Sequence, residues 1–172
     1  MVSRKKQIEE IIRVNYAGEY AANIIYQAQE NFTKDPKAKK QIIEMKEQEL
    51  EHLNYFQEQI NKRNVRPSLL MPLWHAASFT LGSLTALAGS KTAMACTIAV
   101  EEAITEHYQE QIDNLDDSEK DLKAKIQKFK EDEDEHKHTA IEHDGMSAPC
   151  FNLIKSVIKI GSKAAIEVAK KI

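Results

Sequence analysis

Apolar residues recur every three or four positions along most of this chain, which is the spacing of one face of a helix. The stretches with this period are Ser3–Phe32, Pro36–Lys62, Thr92–Leu115, a fourth that begins near Ser118 and ends before Gly145, and Leu153–Ile172. Asp35 before Pro36 is a start signal for the second helix, and Ser118 with Asp121 resembles a capping box for the fourth. The pattern therefore predicts long helices rather than many short strands.

The segment from Pro67 to Ser90 differs from the others because it contains no Asp, Glu, Lys or Arg. It is long enough to span a bilayer, but His75 and several small polar residues dilute its apolar character, and Pro72 interrupts its start. These features favour a helix that is buried or touches a membrane surface. The tail carries lysines opposite an apolar face, which is typical of a helix packed on a bundle. Together the two segments favour binding to a membrane surface.

Length and composition restrict the class of protein. The chain has 172 residues, of which 42% are apolar and 30% charged, so we expect one globular domain covering 1–172. Its net charge of -3 gives no electrostatic reason to expect nucleic acid as a partner. Cys96 and Cys150 are too few for a disulfide framework, and neither a signal peptide nor a transit sequence is apparent. We therefore expect the protein to reside in the reducing cytoplasm of a bacterium.

Six ionisable residues fall on the apolar stripes of the four long helices: Glu19, Glu49, His52, Glu101, Glu133 and His136. Residues three apart on a helix share a side, so Glu49 with His52, and Glu133 with His136, each aim a carboxylate and an imidazole together. Four buried carboxylates need compensating positive charge, and no Lys or Arg occupies these stripes near them. Two divalent cations would neutralise them.

The two halves of the chain repeat one arrangement, in which a helix with a lone stripe glutamate precedes a helix with Glu-x-x-His. Ferritin-like dinuclear proteins have this ligand pattern. It predicts an all-α fold with a ferritin-like four-helix bundle core and additional apolar and C-terminal helices. Carboxylates and imidazoles without a thiolate suit iron or manganese better than a structural zinc site. The alternative is that these charges line solvated faces or form ion pairs in the core.

Residues near the motifs are less informative. Tyr108 lies on the same stripe as Glu101 and is either close to the metal site or a core tyrosine, whereas His107 lies off that stripe. Asp113 and Asp144 are candidates to orient the ligand histidines from outside the site. Most of the glutamates that flank the motifs are expected to be solvated: Glu47, Glu51, Glu102, Glu106, Glu131 and Glu135.

Several segments are more specific than their helical period requires: Arg13–Tyr20, Arg66–Trp74, Ala93–Glu102, His107-Tyr108, and His143-Asp144 with Ala148-Pro149. In these segments the chain resembles the demethoxyubiquinone hydroxylase family of ubiquinone biosynthesis. The resemblance extends from about Arg13 to the C-terminus, and it is particularly specific between Ala93 and Tyr108.

The resemblance implies an oxygen-dependent di-iron monooxygenase. Its two iron ions would be bound by the six stripe residues, and the family's electron-entry pair corresponds to His107 and Tyr108. The implied reaction hydroxylates the ring of 2-polyprenyl-3-methyl-6-methoxy-1,4-benzoquinol (demethoxyubiquinol), with electrons from NADH or from the quinol itself. The chain has no Gly-x-Gly-x-x-Gly fingerprint, so NADH would not be bound by a Rossmann domain.

The resemblance also implies a location and partners. Because the polyprenyl tail is insoluble in water, we expect a peripheral membrane protein on the cytoplasmic face of the bacterial inner membrane, beside a lipid-binding accessory protein. Two other functions fit the same pattern. One is iron oxidation or storage. The uncharged segment from Pro67 to Ser90 argues against it, because this segment favours a lipidic substrate. The other is a non-enzymatic, membrane-associated helical adaptor, whose buried charges would be ion pairs and which would bind no metal.

Overall fold

The structure, a computed structural model, describes residues 4–172. Its helices are α1 (Arg4–Phe32), α2 (Pro36–Arg63), α3 (Met71–Leu87), α4 (Ser90–Asn114), α5 (Lys120–Glu142) and α6 (Phe151–Lys171), with single 3-10 turns at Asp117–Glu119 and Gly145–Ser147. No strand occurs within residues 4–172. The predicted all-α architecture is confirmed, although Ser3, the predicted start of the first helix, lies outside the described residues.

Helices α1, α2, α4 and α5 form a four-helix core, in which α1 packs along α2 and α4 packs along α5. Two apolar clusters fill this core. One contains Ile12, Phe56 and Ile126, and the other contains Ile42 and Met94. On each of the four helices, the ionisable stripe residues lie between the positions that belong to these two clusters. The core therefore has a polar layer enclosed by two apolar layers.

The other two helices lie outside the core, where α3 packs on α1 and α6 packs on α4. Each half of the chain thus adds one outer helix to the first helix of its own hairpin. Gly82 permits the close approach of α3, because a Cβ at this position would lie 2.4 Å from the Ile25 carbonyl oxygen. Helix α6 also contacts α1, and α3 also contacts α4. Both helices therefore flank the same side of the core and leave a groove between them.

Helix α3 places its small residues inward and its large apolar residues outward. Its buried residues are Ser78, Gly82, Thr85 and Ala86, whereas Leu84 and Leu87 are 62% and 63% exposed. On α6, Leu153 and Ile160 are 64% and 69% exposed. None of the helices found between residues 4 and 172 is long and apolar enough to cross a membrane. The exposed apolar side chains named above give α3 and α6 an apolar outer surface.

The start of α5 differs from the predicted capping box. This helix begins at Lys120, after a 3-10 turn, and Ser118 does not cap it. Instead, the Asp116 carboxylate accepts hydrogen bonds from the Ser118 backbone N–H at 3.0 Å and from its hydroxyl at 2.5 Å. Asp116 therefore caps the 3-10 turn that precedes α5, and no side chain among the described residues caps α5 itself. The cap at Asp35 is confirmed, since its carboxylate accepts from the Lys37 N–H at 3.1 Å.

Candidate metal centre and adjoining groove

All six predicted ligands converge in the middle of the four-helix core, and each is at most 2% exposed. They form two overlapping groups, one of Glu19, Glu49, His52 and Glu133, the other of Glu49, Glu101, Glu133 and His136. Within each group, one ligand atom of every residue lies within 4.8 Å of the others. Because Glu49 and Glu133 belong to both groups, the arrangement could hold two metal ions bridged by these two carboxylates.

Both imidazoles face the shared carboxylates through Nδ1. His52 Nδ1 lies 3.0 Å from one oxygen of Glu133 and 3.6 Å from an oxygen of Glu19. His136 Nδ1 lies 3.0 Å from the other oxygen of Glu133 and 3.2 Å from an oxygen of Glu49. Glu133 therefore joins the two groups through its two oxygens.

Several carboxylate oxygens in this layer are buried and accept no well-aligned hydrogen bond from the described residues: Oε2 of Glu19, both oxygens of Glu49, and Oε2 of Glu101. The nearest imidazole nitrogens lie 3.2–4.0 Å from those of Glu19 and Glu49. Burying a carboxylate without a partner is costly. The same oxygens belong to residues of the two groups, so cations bound between them would satisfy these atoms. These carboxylate oxygens thus fit the ligands of a metal centre better than the acceptors of an ion-pair network in the core.

The electrostatics of the site point the same way. Burial, joined by repulsion from Glu133, raises the pKa of Glu49 and Glu101 well above the usual range. Burial alone would lower the pKa of His52, but hydrogen bonds to Glu133 and Glu19 raise it to about 11. Burial would likewise raise the pKa of Glu133, but hydrogen bonds from His136 and His52 lower it. Without metal, the layer must therefore bind protons to compensate its negative charge.

The outer nitrogens of the two histidines also have partners. His52 Nε2 lies 3.3 Å from Asp132 Oδ2, and His136 Nε2 lies 2.6 Å from Gln48 Oε1. The prediction that Asp113 and Asp144 orient these rings is wrong. Asp113 accepts a hydrogen bond from Gln109, and Asp144 forms an ion pair with Lys91. Helical phase gave no signal for Asp132 or Gln48, since each contacts a histidine of the other ligand helix.

Two tyrosines contact the glutamates that the groups do not share. Tyr108 donates a hydrogen bond to Glu19 and also belongs to the apolar cluster that contains Phe56, so it combines the two roles left open by the sequence. Tyr26 donates to Glu101 with an oxygen–oxygen distance of 2.6 Å, a contact that the sequence analysis missed. Both hydroxyls connect α1 with α4.

His107 lies beside a small polar opening rather than among the ligands. This opening, of about 120 Å³, is lined by Glu10, Gln111 and Lys170 among others. Gln111 Nε2 lies 2.7 Å from His107 Nε2, and the Gln111 side chain also exchanges hydrogen bonds with Asn15. Burial, with a contribution from the Lys170 charge, lowers the pKa of His107 to about 4. The imidazole is therefore neutral at pH 7.

An apolar groove of about 370 Å³ lies between α3 and α6. Its floor includes Ala22 of α1 and Ile104 of α4, each one helical turn beyond a candidate ligand, Glu19 or Glu101. Small residues line its walls, including Gly18 and Gly161, and Trp74 contributes an aromatic ring. The groove thus runs along the outer side of the helix pair that carries the two unshared glutamates.

Three lysines of α6 hold this helix against α4 through ion pairs. Lys155 and Lys159 form ion pairs with Glu102, and Lys159 and Lys163 form ion pairs with Glu106. The expectation that most of the flanking glutamates are solvated is confirmed, since four of them are exposed: Glu47, Glu51, Glu131 and Glu135. Glu102 and Glu106 are the exceptions, because both are paired with lysines of α6.

Comparison with known proteins gives the family. The chain matches the family model described as "Ubiquinone biosynthesis protein COQ7" over residues 6–169. The NADPH-dependent 3-demethoxyubiquinone 3-hydroxylase, mitochondrial, of Dictyostelium discoideum is 41% identical over 172 residues, covering 98% of this chain and 79% of the relative. The protein of the same name from Rattus norvegicus is 44% identical over 168 residues, covering 95% and 77%.

A bacterial relative shows the same similarity. The 3-demethoxyubiquinol 3-hydroxylase of Rhodospirillum rubrum is 43% identical over 166 residues, covering 96% of this chain and 78% of the relative. The match covers nearly the whole chain, including every helix that carries a candidate ligand. The chain is therefore an enzyme of the COQ7 family of ubiquinone biosynthesis proteins.

Proposed function

We propose that this enzyme hydroxylates the ring of a polyprenylated demethoxyubiquinol with dioxygen, using two iron ions bound by the six buried ligands. The observation that carries the proposal is the pair of overlapping carboxylate–imidazole groups in an otherwise apolar core. The names of the relatives, which specify hydroxylation of demethoxyubiquinone or demethoxyubiquinol, support the choice of substrate.

The donor set fits iron. Four carboxylates and two imidazoles are ligands that iron accepts readily, whereas structural zinc sites are usually rich in thiolate. Burial raises the pKa of the Cys96 thiol to about 12, so this cysteine stays protonated and does not compete as a ligand. Bound iron would supply the activation of dioxygen that a ring hydroxylation requires.

The protein's own residues set the orientation of the histidine ligands. A neutral histidine that offers the Nδ1 lone pair to a metal carries its proton on Nε2. At His52 that proton would be donated to Asp132, and at His136 to Gln48. These contacts fix both the tautomer and the rotation of each ring, so the ligands need not reorganise when metal binds.

The apolar groove is the proposed binding site for the quinol. Its lining is mainly apolar, as the polyprenyl tail requires, and its floor approaches the candidate ligands from the side of Ala22 and Ile104. Desolvation of the tail in such a groove favours binding. The ring would then lie at the end nearest Glu19 and Glu101, with the tail between α3 and α6.

The exposed faces of α3 and α6 are the proposed contact with a membrane surface. Leu153 and Ile160 are largely exposed and do not line the groove. Because three of the five lysines of α6 are paired with Glu102 and Glu106, apolar insertion would supply more of the binding energy than attraction to anionic lipid. A lipid-binding accessory protein stays a prediction.

A vesicle experiment tests the membrane proposal. The double variant Leu153→Asp/Ile160→Asp should co-sediment less with phosphatidylcholine vesicles than the wild-type protein. The matched control is Leu50→Asp, which alters an exposed leucine on α2. Raising the salt concentration should change wild-type binding little. Equal co-sedimentation of the double variant and the wild type would exclude this surface.

Electrons are proposed to enter beside His107 and Tyr108. The polar opening at His107 is accessible from outside, and Tyr108 donates to Glu19 within the candidate centre. The proposed donor is a reduced nicotinamide nucleotide; the family resemblance implies NADH or the quinol itself, whereas the names of several relatives specify NADPH. The variant His107→Gln should oxidise either nucleotide more slowly while keeping its bound iron. An unchanged rate would place electron entry elsewhere.

The ligand assignment is tested by iron binding. Glu133→Gln should lose bound iron because this residue joins both groups, whereas Glu135→Gln, an exposed position on the same helix, should bind iron as the wild type does. Circular dichroism of both variants would report the helical content. Full iron binding by Glu133→Gln would contradict the assignment.

A further inference from the structure

Helices α1 and α4 carry the same pair of residues at the same spacing. On each helix a glutamate is followed seven residues later by a tyrosine, Glu19 with Tyr26 on α1 and Glu101 with Tyr108 on α4. Residues seven apart lie two turns along one helical face. Each tyrosine donates its hydroxyl proton to the glutamate of the other helix. The contacts are therefore reciprocal and cross the core twice.

In both contacts the tyrosine uses one carboxylate oxygen and leaves the other available. Tyr26 donates to Oε1 of Glu101, and Tyr108 donates to Oε1 of Glu19. The Oε2 atoms of both glutamates are buried and have no hydrogen-bond partner among residues 4–172. A hydrogen bond to one oxygen restricts rotation of the carboxylate, so the second oxygen is held toward the shared ligands Glu49 and Glu133.

The surroundings of the two tyrosines differ. Tyr26 is 2% exposed and packs in the apolar cluster of Ile42, Met94 and Ile98. Its ring meets the His136 ring edge-on, with centroids 6.2 Å apart. Tyr108 is equally buried, in the apolar cluster that contains Phe56, but it directly follows His107, which borders the polar opening. Tyr26 therefore contacts Glu101 and His136, the two residues that belong to one group alone.

We propose that Tyr26 is a positioning residue for one metal ion of the pair, the ion bound by Glu101 and His136, while Tyr108 positions Glu19 for the ion bound with His52. This inference rests on the proposed metal centre. It assigns Tyr26 a role within the site. It also implies that removing a single tyrosine hydroxyl weakens the binding of one ion and leaves the other unchanged. Removing a partner of this kind typically weakens metal affinity by about 10–100-fold.

The test is a titration of the full chain with Co²⁺, followed by the visible absorption of the bound ion. We expect Tyr26→Phe to weaken one of two binding steps by about 10–100-fold and to leave the other unchanged. Tyr20→Phe is the control, since Tyr20 lies on the same helix but bonds to His75 outside the centre. Thermal unfolding in the presence of a chelator would show that each variant folds without metal.

The background variant His136→Gln identifies the affected ion. In that background only the ion bound with His52 should remain, so adding Tyr26→Phe should change its affinity little, whereas adding Tyr108→Phe should weaken it. A folded Tyr26→Phe protein with both binding steps at wild-type affinity would overturn the inference, as would an equal loss from both steps. If the wild-type protein bound no metal, the proposed function would fail together with the inference.

Discussion

Gly161 offers a direct way to separate stability from substrate binding. It lies within α6, where glycine is less favourable than alanine or leucine by about 0.8–1.0 kcal/mol. A Cβ at this position would have no described atom within 4 Å, so no protein contact requires glycine here. The residue lines the groove proposed to bind the quinol. We therefore expect Gly161→Leu to stabilise the fold while obstructing the substrate site.

The expected size of the two effects follows from the structure. A gain of about 0.8 kcal/mol corresponds to a rise of roughly 2–3 °C in Tm for a chain of this length. Gly82→Ala is the contrasting variant, because its Cβ would lie 2.4 Å from the Ile25 carbonyl oxygen and 2.9 Å from Ala28 Cβ. That clash should destabilise the protein by about 1–3 kcal/mol.

The assay uses the tryptophan of the groove. Trp74 is the chain's one tryptophan and lines the groove, so its fluorescence should be quenched when a short-tailed demethoxyquinone binds. Gly161→Leu should weaken this binding at least tenfold while its Tm rises. A variant that is more stable than the wild type and binds the quinone equally well would refute the placement of the substrate in this groove.

Three further predictions concern the ligands and the attachment of α6. Asp132→Ala and Gln48→Ala should each lower iron affinity by about 10–100-fold, measured by competition with a chelator; unchanged affinity would deny them an orienting role. Iron at one hundred times its Kd should raise the free energy of unfolding by about 2.7 kcal/mol, and an unaltered Tm would contradict binding to the folded state. Burial raises the pKa of Glu102, but hydrogen bonds from the lysines of α6 outweigh it and lower the pKa of both Glu102 and Glu106. Their stabilising effect is therefore present above the unfolded pKa of about 4.3 and is lost as the pH falls through the lower folded values. Between pH 7 and pH 3 the free energy of unfolding of Glu102→Gln/Glu106→Gln should thus fall less than that of the wild type, by about 1 kcal/mol or less per ion pair. Equal decreases would exclude these pairs as a source of stability.

The six candidate ligands could be predicted from the sequence because the signal is local. An ionisable residue on an apolar stripe is anomalous in the helix that contains it, and Glu-x-x-His aims both side chains to one side. Four such helices leave few ways to bury their stripes except against one another. When the four stripes are buried against one another, residues such as Glu49 and His136 meet although they are far apart in the chain.

The contacts that the sequence analysis missed depend on which helices are neighbours. Tyr26 lies on the same stripe as Glu19, but its partner Glu101 is on another helix. The pairing of Glu102 with Lys155 likewise arises because α6 packs on α4, so periodicity alone indicated a solvated glutamate. Helical phase shows which face a side chain occupies, but the partner opposite that face is fixed only by the packing.

The decisive experiment for the proposed hydroxylation follows the oxygen atom from labelled dioxygen into the product. The iron-loaded wild-type protein would be given a short-tailed demethoxyubiquinol, a reduced nicotinamide nucleotide and isotopically labelled dioxygen, and the product would be analysed by mass spectrometry. The account predicts one labelled oxygen atom in the ring, and no such product from Glu133→Gln. An iron-replete wild-type protein that oxidises the nucleotide but leaves the ring without labelled oxygen would contradict it.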